Sequence, residues 1–151
     1  MAPPASFKPG FRDLRWGDPI PSDMVVLSSE DQITKASRPS DKLQIGTTEL
    51  TKIIYKFYQD RLAIVELEAP GTYDIYNDLF RVLTAAFGET IGDLNSHSYN
   101  FWTVERDTSE ETTVSVIQLP GKVAVFISSG QAKRQIEADK VAKATLAASD
   151  L

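Results

Sequence analysis

Two apolar runs divided by a short polar break constrain this chain more than any other feature. Leu50–Gln59 (Leu-Thr-Lys-Ile-Ile-Tyr-Lys-Phe-Tyr-Gln) and Leu62–Ala69 (Leu-Ala-Ile-Val-Glu-Leu-Glu-Ala) are rich in β-branched and aromatic residues, with Gln59-Asp60-Arg61 at the break. That is the pattern of a β-hairpin. A two-residue loop centred on Asp60-Arg61 would set Tyr55 against Glu66 and Ile53 against Glu68. A three-residue loop sets Phe57 against Ala63, Tyr55 against Val65 and Ile53 against Leu67. Only the second register makes one whole face apolar, and burial of one face is what fixes register in a sheet. The other face then carries Ile54, Lys56, Tyr58, Leu62, Ile64 and Glu66.

Pro70-Gly71 ends the second strand. Thr72 is placed to cap a helix, with Asp74 in its first turn, where negative charge suits the dipole. Ile75, Leu79, Val82, Leu83, Ala86 and Phe87 recur at helical spacing, and Gly88 supplies the stop. The helix is expected to lie across the Ile53/Tyr55/Phe57 face. A hairpin covered by one helix is the start of a two-layer α+β domain.

The rest of the chain adds strands. Met24–Ser28, Gln32–Ala36, Leu43–Ile45, Tyr99–Glu105, Thr112–Leu119 and Val123–Ser128 all read as extended, with Val123–Ser128 the most apolar. Gln131–Ala148 reads as a second helix by propensity. Its apolar stripe is poor: with Ile136 at the centre of one face, Lys140 and Lys143 share that face and Val141 points away. Such a helix is expected to pack loosely or to offer its alanines to another copy. The fold class is therefore α+β: a mostly antiparallel, twisted sheet of about six to eight strands with two helices, in two layers. At 151 residues the chain suits one domain. Residues 11–151 are assigned to it, and residues 1–10, with three prolines, to a mobile arm.

Phe11, Leu14 and Trp16 are expected to pin that arm to the domain, with Gly17 allowing a turn beside the indole. The opening Phe11-x-x-x-x-Trp16-Gly17 resembles that of uncharacterised small bacterial proteins, many of them exported. The resemblance extends to Tyr55-x-Phe57-Tyr58-x-Asp60-Arg61-Leu62, to Leu83-x-x-x-Phe87-Gly88 and to the Trp102 strand. Such relatives often carry Gly after the turn Asp, where this chain has Arg61. The resemblance implies a fold and an envelope location, and no activity.

The net charge of −5 and pI near 4.9 exclude a general basic face for nucleic acid. There is no cysteine, so disulfides and zinc-thiolate sites are out. No apolar run approaches the ~18 residues of a membrane span. Met1–Ala5 has no secretory pattern. The location is periplasmic or cell-envelope if the native gene carries an export signal, and cytoplasmic otherwise.

Candidate chemistry is sparse. His97 is the one histidine, and no Gly-x-Ser-x-Gly elbow accompanies it. Asp93, Asn95 and His97 alternate like the start of a calcium loop, yet Ser98 and Val104 stand where Gly and Glu belong. Glu66 and Glu68 share a strand face and would suit acid/base work if a cleft raised one pKa; solvated charge is the expected reading. Asp107, Glu110 and Glu111 read as a solvated acidic turn. Trp16, Tyr99 and Trp102 are the candidate ligand-binding aromatics. No catalytic residue, metal ligand or cofactor is assigned. The expected function is a non-enzymatic binding or assembly module, possible partners being an unidentified protein, a small molecule, or a second copy docked through the C-terminal helix. The alternatives are a small-molecule binder with an aromatic pocket and a carboxylate-dependent hydrolase.

Overall fold

The hairpin foreseen in the two apolar runs lies at the middle of one seven-stranded antiparallel sheet. The computed structural model describes residues 8–90 and 98–151. The chain runs β1 (Gly10–Phe11), β2 (Leu14–Arg15), β3 (Val25–Glu30), β4 (Ile33–Ser37), β5 (Gln44–Ile45), β6 (Thr48–Glu49), β7 (Lys52–Tyr58), β8 (Arg61–Pro70), α1 (Tyr73–Phe87), β9 (Tyr99–Val104), β10 (Thr112–Leu119), β11 (Lys122–Ser129) and α2 (Gly130–Ala148). The large sheet has the order β3-β4-β7-β8-β11-β10-β9, while β1 pairs with β2 and β5 with β6. This is the expected α+β class. Residues 1–7 of the assigned arm, and the Asp93/Asn95/His97 spacing, lie outside the described residues.

Tyr55 stands opposite Val65 and Ile53 opposite Leu67, as the apolar face demands. The loop that achieves this is neither of the two considered. The turn is Gln59-Asp60, both at positive φ (50° and 64°), as a tight two-residue turn that follows strand twist requires. A plain hairpin from that turn would set Tyr55 against Ile64. A bulge between Lys56 and Phe57 adds one residue to β8 and restores the apolar register. Two expectations are corrected as a result. Phe57 faces Leu62 rather than Ala63, and Leu62 belongs to the core face rather than the wetter one. Ala63, the extra residue, packs instead with Tyr58 and Ile136 on the opposite face.

Leu62 also lies beyond the end of the β8–β11 ladder, which stops at Ile64. The N-terminal segment takes its place. Gly17 donates its N–H to the Leu62 carbonyl (2.9 Å), and the Leu62 N–H donates to the Asp18 carbonyl (2.8 Å). Gly17 has φ of 89°, which explains a glycine after Trp16.

The core face carries Phe57, Val65, Val116, Val125 and Trp102, all fully buried. It is too wide for one helix. Thr72 caps α1 and Gly88 ends it, as the sequence indicates. The helix comes closest to β9 and β10, with β6 also beside it, and its Tyr76, Leu79 and Leu83 share one buried cluster with Ile53, Tyr55 and Phe57. Two polar links fix it there: Asn100 Nδ2 donates to the Tyr76 hydroxyl (2.8 Å), and the Trp102 indole donates to the Gly88 carbonyl (3.0 Å). Accordingly Tyr76, Leu79 and Leu83 face the sheet, and Val82, assigned to the inner stripe, is exposed. Phe11, Leu14 and Met24 complete the core cluster from the N-terminal side, Phe11 meeting the Tyr55 ring edge-on at 6.0 Å.

Because Val65 sits completely buried among these side chains, Val65→Asp is expected to abolish cooperative unfolding. Phe57→Ala should cost about 3–5 kcal/mol, measured by urea denaturation. A Phe57→Ala loss near zero would contradict the register.

Candidate functional site

The second face of the sheet is where the molecule is least enclosed. Its small apolar cluster joins Tyr58, Ala63 and Ile136, with Ile33, Ile64 and Ala132 at its margin. α2 reaches this cluster without a loop, since β11 ends at Ser129 and the helix starts at Gly130. Ser129 caps it, its hydroxyl accepting from the Ala132 N–H at 3.1 Å.

Glu111 fastens the start of α2. It is buried, contrary to the solvated turn expected for it. Its Oε1 accepts from the Asp107 N–H at 2.8 Å and its Oε2 from the Arg134 guanidinium at 2.6 Å. A side chain on Gly130 would fall 1.7 Å from Oε2, so glycine is what lets the carboxylate sit against the helix end. Negative charge at a helix N-terminus is favourable. Burial alone would push the Glu111 carboxyl up; the Asp107 N–H and the Arg134 charge outweigh it and hold the group below the usual glutamate range.

From there α2 crosses toward the β3–β4 hairpin. The Tyr58 hydroxyl donates to Asp139, whose other oxygen accepts from Gln135 at 2.9 Å. Lys143 approaches Asp31 at 3.8 Å. Every residue from Lys140 onward is exposed. A cleft of about 620 Å³ remains between the helix and the hairpin, lined by Ile33, Lys35, Tyr58, Ile136, Lys140 and Lys143 among others. A second cleft of about 570 Å³, at the start of α2, includes Trp16, Arg15, Arg61 and Gln131.

The three aromatics singled out from the sequence do not converge. Trp16 is half-buried, donates its indole N–H to Thr112 Oγ1 at 2.8 Å, and lines the second cleft. Trp102 is 0% exposed and belongs to the main core. Tyr99 is 39% exposed and, three residues away on the same strand, points to the other face. Neither Tyr99 nor Trp102 lines any of the clefts described for this structure.

The paired carboxylates are not simply solvated. Glu68 is buried and bridges to Lys52 (3.1 Å) and Lys122 (3.3 Å), while Glu66 pairs with Lys56 (3.0 Å). Burial pushes the Glu68 carboxyl up, but the neighbouring Glu66 carboxyl and the two ammonium groups prevail and lower it. The Lys52 and Lys122 ammonium groups favour the ionised form of Glu68, the opposite of what a general acid needs. Among the described residues no group of three or more His, Cys, Asp or Glu side chains is arranged to hold a metal ion. No described helix is long and apolar enough to cross a membrane. Sequence reasoning missed the Glu111 clamp and the Tyr58–Asp139 link, because both join residues far apart in the chain. No protein-family model, curated protein or solved structure matches the chain.

The Glu111 clamp has a pH signature. Its folded pKa lies below the unfolded one, so its stabilisation is complete at neutral pH. The contribution declines as pH falls through the ordinary glutamate range and is gone below the folded value. Glu111→Gln should therefore be less stable than the parent near neutrality and show a shallower acid decline, by urea denaturation between about pH 6 and about pH 3. Parallel pH profiles would contradict the assignment.

Proposed function

We propose that this chain is a non-enzymatic binding or assembly module that works through the free half of α2, with a second copy of the chain as the partner. The observation that supports this is the exposure of that half. Among the described residues of α2, only Gly130 and Ile136 are buried. Beyond them Val141 is 56% and Leu146 75% exposed. An isolated helix of under ~12–15 residues is marginal in water, so alanine content and the anchored first turns sustain this one.

Ala138, Val141, Thr145 and Ala148 follow one another at steps of three and four residues. At helical pitch they form a stripe roughly opposite Ile136. The helix thus offers one face to its own sheet and a different, later face outward. That division explains why no single apolar side is visible in the sequence. Small side chains let two helices approach closely. The setting we assign, a bacterial cell envelope, rests on the resemblance carried by Phe11, Trp16 and Gly17.

Removing residues 141–151 spares Ile136, the Glu111–Arg134 pair and the Tyr58–Asp139 bond. The shortened chain should melt cooperatively at nearly the parent temperature, and self-association seen by sedimentation velocity of the full chain should be lost. A full-length chain that stays monomeric across the accessible concentration range would refute the reading.

A further inference from the structure

The two covers of the core face leave a seam between them. α1 leans on β9 and β10, and the N-terminal hairpin leans on β11. Between them a slot of about 320 Å³ opens onto Leu67, Val125 and Ile127. These three belong to the buried core, so the slot reaches it directly. Leu83, Ala86 and Phe87 form the α1 wall, and Phe11 stands on the opposite side.

The slot is apolar inside and cationic at its rim. Among the described residues lining it, the charged ones are Lys8 and Arg12. This is local, because the whole chain carries −5. Arg12 is already held by Asp41 (3.3 Å) and by the carbonyls of Lys42 (2.9 Å) and Gln44 (3.1 Å), with its guanidinium over the Phe11 ring. Lys8 is exposed and makes no ion pair among the described residues.

We propose that this seam binds a single-chain fatty carboxylate, its tail on Leu67, Val125 and Ile127 and its head group beside Lys8 and Arg12. The volume is at the low end of ligand sites, about 300–1,000 Å³, which suits one acyl chain rather than two. No polar side chain described in its interior could receive the head group, so the carboxylate stays at the rim, where the charge is positive. The inference is independent of the role given to α2.

Sodium decanoate, titrated below its micelle concentration into the full-length chain with labelled methyl groups, tests this. The Leu67, Val125 and Ile127 methyl signals should shift saturably, and octanoate should bind more weakly by roughly fourfold per methylene removed. Decyltrimethylammonium, with the opposite charge, should bind much less well. Ala86→Trp, at the half-buried rim, should block binding while leaving the melt cooperative. Lys8→Glu, at an exposed position, should weaken binding several-fold, and it decides the matter if Ala86→Trp does not fold. Absence of a saturable shift, equal binding of the cationic amphiphile, or decanoate affinity unmoved by either variant would overturn the proposal. So would shifts that follow protein concentration without decanoate, which would give the seam to a second copy.

Discussion

Tyr55 and Val65 face one another across β7 and β8, both completely buried, and the placement of the other elements follows from that pairing. Tyr55 is also where the N-terminal half is tied down. Its ring meets Phe11, and its hydroxyl donates to Asp41 at 2.8 Å. The Arg38 guanidinium lies 5.9 Å over the same ring and reaches Asp13 (2.9 Å) and Asp23 (3.0 Å). Burial first, and then the Asp41 bond, push the Tyr55 phenol well above its usual range, so it stays a donor throughout ordinary conditions. A one-residue slip of β7 against β8 would move Tyr55 to the other face. The aromatic contact, the Asp41 bond and the Arg38 stack would be lost together.

This dependence explains which parts of the fold were legible in the sequence. Alternation in two runs reveals which face is apolar, and that is enough to pair Tyr55 with Val65. It does not reveal how the chain returns, because Gln59-Asp60 lacks the glycine that usually marks a two-residue turn. At Asp31-Gln32, also at positive φ, another turn without glycine joins β3 to β4. The caps of α1 were legible, being local chemistry. Its closest approach to β9 and β10 was not, since the Tyr76–Asn100 and Trp102–Gly88 bonds connect residues that precede and follow residues 89–98 in the chain. Tyr76 itself was overlooked because it reads as polar on a strict apolar count, though its ring is what packs.

The polar sites were less legible still. Glu66 and Glu68 look alike in the sequence as strand carboxylates, yet Lys52 and Lys122 draw Glu68 into a buried bridge. Glu111 stands in a run of polar residues, and nothing nearby indicates that Gly130 will leave room for its carboxylate. Trp16, Tyr99 and Trp102 share a residue class rather than a place. One is hydrogen-bonded to Thr112, one lies open on a strand and one fills the core. Composition can collect such residues, but long-range register alone determines whether they meet.

The two faces of the sheet are therefore held very differently. The core face is closed by many independent contacts, with a seam where its covers meet. The other face is crossed by a helix attached through Ile136, Glu111 and Asp139, with the rest of that helix in solvent. Residue-resolved amide hydrogen exchange on dilute, monomeric protein tests this contrast most directly. Slow exchange should be confined to β7, β8, β10 and β11 and to the amides of α1 facing them, with intermediate protection in the first turns of α2 and rapid exchange from about Val141 onward. Protection of Val141–Ala148 equal to that of β8 in the monomer would contradict the account.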